Sequence, residues 1–513
     1  MSPRMATIRA GRLTSGEAHP RLRPGLIVAC VMLLFAALNV YLWRGVRGDD
    51  WSSIFVAARL IARGQIYAIY DHDPNVFSLV SSPRFEAAAA DINFNGPGHP
   101  YVHLPLLAYM LSPLARIGSF PIASQVLTVA NVLATLGIVW FAAKIFDNRL
   151  LRPAPLAAIL LVVTVSEPLR YSLFLGQTTP LVLFAMVYAI HLSRQGHPVP
   201  AGILLALATA IKITPVIVAL YWLWNRRQRR SAMTFAVSMA LIIAASVLLV
   251  GWQANVDYAH TLRRVSDSGL PSFNNHSLVG WALTRSVSEE RLRDFTIVPI
   301  STAVRLFNLT LLAATVAAVG FLGRFLARRG DAGRASDDRT CDDLDRLLIS
   351  ALFLLPLVFT PISWTHYYLA MVVPILALSG AYLDRRAQWG GVLVVLLVLL
   401  NTQPVATDSM LGRIGILVHA HLWSAVLAVM ALLGLPLAAW RRDRSSTPER
   451  RGFRRGRQTV ELGLKATPGL TIPHRLATLL TGRRIHPAPV DVFRVTTAPP
   501  WCERQGEPEG ICP

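Results

Sequence analysis

Residues 24–43 carry no charge between Arg23 and Arg44. A run of that kind matches the ~20 apolar residues needed to cross the hydrocarbon core of a bilayer. Further apolar runs follow at 101–117, 119–144, 153–172, 178–193, 199–224, 231–251, 298–324, 347–362, 366–383, 388–407 and 411–440. Backbone polar groups inside lipid must be satisfied within each segment, so these runs are expected to be helices. The expected fold is all-α, a polytopic membrane protein of about twelve transmembrane helices. Of the 513 residues 53% are hydrophobic and 15% charged, which excludes a string of soluble domains.

The net charge of +21 would suggest nucleic acid in a soluble protein. Here the excess is nearly all arginine and sits in short loops and at the C-terminal end. The positive-inside rule distributes charge in that way. Alternating from a cytoplasmic N-terminus puts Asn225-Arg226-Arg227-Gln228-Arg229-Arg230, Asp384-Arg385-Arg386 and the tail inside. Two large loops, 44–100 and 252–296, then fall outside. Three regions are expected: a cytoplasmic segment 1–24, read as preceding an uncleaved anchor; a transmembrane domain 25–440; and a basic, disordered cytoplasmic tail 441–513. The four cysteines show neither metal-ligand spacing nor a pair in an external loop.

Several polar groups interrupt this apolar background. Asp49 and Asp50 stand just beyond the first run, leading Trp51-Ser52-Ser53-Ile54-Phe55-Val56-Ala57-Ala58. A pair of acids there suits a helix start as well as it suits a site. The spacing of Ile54, Phe55, Ala58 and Ile61 predicts an amphipathic helix over 50–63 lying at the membrane interface. Lys212 stands in Ile211-Lys212-Ile213-Thr214-Pro215 between long apolar runs. Trp224 lies roughly 18 Å away along a helix, a long reach for snorkelling, and an ionisable residue at such depth is a functional candidate. Ser363-Trp364-Thr365-His366-Tyr367-Tyr368 breaks an uncharged stretch from Leu347 to Leu383, predicting a tight turn that faces either headgroups or a cavity. Leu175-Gly176-Gln177-Thr178-Thr179 reads as a turn. Asn274-Asn275-His276-Ser277, with Arg285 beyond it, reads as polar loop, and Asn275-His276-Ser277 also fits a glycosylation acceptor. Asp71-His72-Asp73 leads into Pro74-Asn75, which is turn chemistry rather than a diphosphate-metal site.

In their order these pieces resemble glycosyltransferase family 87 of the GT-C membrane enzymes over roughly residues 25–440. The motifs are Asp50-Trp51 with Ala57-Ala58 and Gly64…Tyr67; Tyr101-Val102-His103-Leu104-Pro105; Gly176-Gln177; Lys212-Ile213-Thr214-Pro215; Asn275-His276-Ser277-Leu278 before Arg285; and Ser363-Trp364-Thr365-His366-Tyr367. Where the family commonly has an aromatic Pro-Pro this chain has His103-Leu104-Pro105. Where it often has paired histidines, His366 is followed by Tyr367-Tyr368. The resemblance implies a GT-C-type fold and transfer of a sugar, mannose first, from a polyprenyl-phosphate donor to a glycolipid or glycan acceptor. The reaction would take place at the outer face of the plasma membrane and invert the anomeric centre. It implies Asp50 as general base with Asp49 auxiliary. His366, Arg285, Asn275, His276, Lys212, Gln177, Trp364 and His103 are implied around the donor phosphate and substrate. The resemblance implies no cofactor and no metal ligand and leaves the divalent-metal requirement open; nucleic acid is not an expected partner.

Two other readings compete. Arabinofuranose on the same lipid carrier would need the same machinery. A multi-span transporter or flippase should show symmetric halves or paired broken helices, whereas the two large loops follow spans 1 and 7.

Overall fold

The computed structural model describes residues 24–46, 48–71, 82–94, 98–288, 290–292, 295–331, 338–385, 388–402 and 419–446. Nearly all regular structure among them is helical. In chain order the helices are α1 (Pro24–Leu42), α2 (Asp49–Ala62), α3 (Pro83–Asp91), α4 (Pro105–Ile117), α5 (Phe120–Phe146), α6 (Pro153–Val165), α7 (Glu167–Phe174), α8 (Thr179–Arg194) and α9 (Pro198–Ile211). There follow α10 (Val216–Trp224), α11 (Arg229–Val250), α12 (Trp252–Asp267), α13 (Leu278–Thr284), α14 (Thr302–Asp331), α15 (Asp338–Phe359), α16 (Val372–Arg385), α17 (Gln388–Asn401) and α18 (Ala420–Ser446). A short antiparallel pair, β1 (Ser268–Gly269) with β2 (Val298–Pro299), sets Ser268 opposite Pro299.

The chain is a membrane-type α-helical protein. Among the described residues five helical segments are long and apolar enough to cross a bilayer: 24–42, 120–146, 226–250, 302–325 and 365–383. The pair α6–α7 is a sixth if its 56° bend is counted within one span. The difference from the runs counted by hydropathy has a geometric cause. The 101–117 run yields in α4 a helix of 13 residues, roughly 20 Å long against a hydrocarbon core of roughly 30 Å. The 199–224 run is cut at Lys212, whose backbone is extended at φ −140° and ψ 134°, and α10 begins only after Pro215. The 153–172 run bends at Ser166, whose hydroxyl turns back to the Val163 carbonyl at 2.8 Å. The 388–407 and 411–440 runs lie partly outside the described residues, as does the tail from 447 onward.

Helix α2 departs from its expected setting. It forms where the spacing predicts, but every residue from Trp51 to Ala58 is buried, so it is not an interfacial helix with one wet face. Helix α2 packs against α4, its small residues Ser52, Ser53, Ala57 and Ala58 all buried, while Phe55 meets the Phe120 ring at 5.4 Å. Arg59 donates to the carbonyls of Ala115 at 2.8 Å and Arg116 at 3.0 Å, satisfying the otherwise open end of α4. Arg63 pairs with Asp91 at the end of α3. Trp51, Ile54, Phe55, Leu60, Phe85, Tyr101 and Phe120 thereby form one apolar core, centred on α2. A second, larger core joins α5, α8, α9, α15, α16 and α18. The turn at Asp71 is tied by Ser82, whose hydroxyl donates to its carboxylate at 2.8 Å; His72 and Asp73 lie outside the described residues.

Candidate active site

The two cores meet where the start of α2 docks onto the turn between α7 and α8. Gly48 and Gly176 both take left-handed backbone, at φ 73° and 64°. A Cβ built on Gly176 would lie 2.9 Å from both the Gly48 Cα and the Trp51 Cβ. Only glycine accepts that conformation and that approach together. The Leu175 carbonyl receives the Asp50 amide at 2.9 Å, capping the free N–H groups at the α2 start. The turn that looks ordinary in sequence is thus the seat of the acidic pair.

From this seat a line of polar groups runs inward. The Gln177 carboxamide donates from Nε2 to Asp50 Oδ2 and accepts at Oε1 from Lys212 Nζ at 2.8 Å. Lys212 also donates to Thr179 Oγ1 at 2.7 Å and lies over the Tyr367 ring, 4.6 Å from its centroid. His99 Nδ1 stands 3.5 Å from the other Asp50 oxygen, Oδ1. His366 packs edge-on against Tyr367 at 4.6 Å; it is 3% exposed, and neither of its ring nitrogens has a hydrogen-bond partner among the described residues. Buried imidazoles normally find partners, and among the described residues this ring has none.

The supporting layer is built with equal care for hydrogen bonds. Asn131, fully buried on α5, donates to the Gln177 carbonyl at 2.8 Å. His103 bonds the Ile211 carbonyl at 2.7 Å, so Nδ1 is its donor and the ring fixes the backbone just before Lys212. Tyr70 in turn donates to the His103 carbonyl at 2.6 Å; burial holds its phenol well above the usual range, so it stays a neutral donor. Beside Lys212 opens a narrow cleft. Its polar lining is Thr179, Lys212, Thr214, Thr360 and Tyr367, and the rest is apolar, including Val182, Met186, Leu352, Phe353 and Leu357.

The expected residues therefore divide. Asp50, Gln177, Lys212, His366 and His103 come together, and Asp49 adjoins them in the first turn of α2. Asn275 instead holds backbone. Its Oδ1 accepts from Ser363 N at 2.8 Å and Ser277 N at 3.2 Å, and its Nδ2 donates to the Leu270 and Pro361 carbonyls. It is wholly buried, which removes it as a glycosylation acceptor. His276 bonds Thr365 at 3.0 Å, and its ring lies tilted to His421 at 4.7 Å and edge-on to His419 at 6.0 Å, forming a separate histidine cluster. Trp364 bridges to Asn275 and packs near Phe295. Arg285 is exposed and lies over the Trp281 ring at 4.5 Å, with no contact to the Asp50 line.

Sequence reasoning missed His99, Thr179 and Asn131. Only Thr179 carried a signal, as the last residue of the turn that holds Gln177. His419 and His421 also went unnoticed.

Comparison with known proteins bears on the same region. Residues 101–289 match the model of glycosyltransferase family 87, a stretch that contains Gln177 and Lys212 but neither Asp50 nor His366. A polyprenol-phosphate-mannose-dependent alpha-(1-2)-phosphatidylinositol mannoside mannosyltransferase of Mycolicibacterium smegmatis is 30% identical over 303 residues, 56% of this chain and 64% of the relative. Its namesake from Mycobacterium tuberculosis is 28% identical over 299 residues, with the same two shares, 56% and 64%. A polyprenol-phosphate-mannose-dependent alpha-(1-2)-phosphatidylinositol pentamannoside mannosyltransferase of Mycolicibacterium smegmatis is 28% identical over 350 residues, 65% of this chain and 76% of the relative. The chain thus spans 64% of the length of the first two relatives. It is similar to glycosyltransferase family 87 over residues 101–289, and to polyprenol-phosphate-mannose-dependent mannosyltransferases over more than half its length.

Proposed function

We propose that this protein is a membrane glycosyltransferase that moves a sugar, mannose first, from a polyprenyl phosphate to a glycolipid or glycan acceptor. The observation that carries the reading is the line Asp50–Gln177–Lys212 beside His366, adjoining a largely apolar cleft. A carboxylate, a lysine donor and a buried imidazole with no partner among the described residues are what a lipid phosphate leaving group and an attacking hydroxyl require together. The names of the relatives support the donor class and suggest a phosphatidylinositol mannoside as the acceptor to try first.

In this reaction the acceptor oxygen attacks the anomeric carbon while the bond from that carbon to the phosphate oxygen breaks. Asp50 takes the hydroxyl proton as the new bond forms. The departing phosphate keeps the bonding electron pair, and Lys212 and His366 meet its growing charge with donors. A single displacement of this kind inverts the anomeric centre. The isoprenoid tail lies in the apolar cleft. Loops 44–100 and 252–296 face the cell exterior, and the active site opens on that side.

The test is purified protein in lipid, supplied with synthetic polyprenyl-phosphate mannose or arabinofuranose and phosphatidylinositol mannoside acceptors. Mannosyl product with inverted configuration is expected. Transfer of arabinofuranose alone would change the sugar and keep the class; no transfer of either would reject the reading.

A further inference from the structure

Gln177 touches both Asp50 and Lys212. The orientation of its amide is forced, because an ionised carboxylate can only accept and so must face Nε2. That leaves Oε1 for the lysine. Its backbone is held from several sides: the Gln177 amide donates to the Ser172 carbonyl at 2.8 Å, Asn131 grips its carbonyl, and Gly176 packs against Gly48 next to it. A side chain fixed in this way has no freedom left to follow a substrate. It engages one oxygen of Asp50, Oδ2, and leaves Oδ1 facing His99 across 3.5 Å.

Resting on the transferase reading above, we infer that Gln177 is a positioning residue: it pins Asp50 Oδ2 so that Oδ1 receives the acceptor's proton, and ties that carboxylate to the lysine on the phosphate side. This differs from a residue that binds the donor. A glutamine contacting the donor would show its loss in KM, whereas one that aims the base would show it in kcat. A misplacement of about 1 Å at a reacting group can cost ~10²-fold in rate. The charged and titratable groups around Asp50 are Asp49 on its own helix, His99, Lys212, and the phenols of Tyr171 and Tyr367, both within electrostatic reach of it. Lys212 also touches residue 177, and Gln177→Glu keeps an acceptor toward it, so the acidic limb of that variant reports on the contact between residue 177 and Asp50.

The experiment compares Gln177→Leu and Gln177→Glu with wild type, measuring kcat and KM for donor and acceptor and the pH profile of kcat/KM. Gln177→Leu is expected to lose ~10²-fold in kcat with both KM values within about twofold, the pattern of an interaction realised only in the transition state. Gln177→Glu keeps the shape and the acceptor toward Lys212 but sets a second carboxyl against Asp50. Its acidic limb should move up by about one pH unit or more, because like charges cannot both ionise cheaply. If Gln177→Leu cannot be recovered folded, the limb of the isosteric Gln177→Glu decides alone. An unmoved limb in Gln177→Glu, or a loss in Gln177→Leu confined to the donor KM, would overturn the positioning role while wild-type transfer stands. Absence of transfer by the wild type would overturn the transferase reading itself.

Discussion

At the scale of single residues, His366 shows how a burial pattern becomes a functional claim. A ring 3% exposed whose nitrogens have no partner among the described residues is costly to the fold unless a ligand meets it. His366→Ala is expected to slow sugar transfer by about 10²-fold, the usual loss when one charge-stabilising donor goes. His366→Phe should not rescue it, since ring packing against Tyr367 returns but the donor does not. Equal rates for His366→Phe and wild type would make the residue packing only. Asn275 should behave oppositely. Its side chain satisfies the buried Ser363 and Ser277 amides, so Asn275→Ala should cost at least about 2 kcal/mol of stability. Thermal unfolding in detergent reads this, and Asn275→Asp, keeping both acceptor bonds, should recover part of it. An unchanged transition in Asn275→Ala would contradict the structural role.

Among the elements, the decisive contact is α2 against the 175–177 turn. Gly176→Ala combines left-handed backbone, which costs an alanine roughly 1–2 kcal/mol, with a Cβ 2.9 Å from the Gly48 Cα. Gly64 has φ 74° but nothing within 4 Å of a built Cβ, so Gly64→Ala carries the strain alone. Gly176→Ala should therefore be the less stable of the two by thermal unfolding, and should lose at least tenfold more activity because Asp50 moves with the helix. Equal behaviour of the two variants would mean the close approach does not matter. Much of the site was legible as separate motifs: Asp50, Gln177, Lys212 and His366 each stand out as polar breaks in apolar sequence. Their union was not, because Gln177 reaches Asp50 across 127 residues through a backbone contact between two glycines, and no local pattern encodes that. The interfacial reading of α2 failed for a related reason. Helical periodicity registers one apolar stripe, while α2 is covered on several sides, and its small residues Ser52, Ser53 and Ala57 are buried as well.

For the molecule as a whole, hydropathy marks the apolar segments well and their straightness poorly. Pro215 announces the break after Lys212, yet Pro168 did not prompt the expectation of a bend at Ser166, since proline is common in the first turn of a helix. Lys212 and Thr214, in the break between α9 and α10, line the cleft, so the interrupted backbone is placed at a cavity. Single cysteines placed at Tyr67 and Trp252 should be labelled from the outside of intact cells, and one at Arg227 only after permeabilisation. Labelling of all three from one side would break the proposed topology. The central claim is that Asp50 is the base for sugar transfer from a polyprenyl phosphate. Its most direct test is the rate of mannosyl transfer by purified Asp50→Asn beside Asp49→Asn and wild type, in lipid, with all three matched for folded protein. The account predicts product with inverted configuration from wild type, a smaller loss in Asp49→Asn, and no detectable transfer by Asp50→Asn. Transfer by Asp50→Asn near the wild-type rate would contradict it.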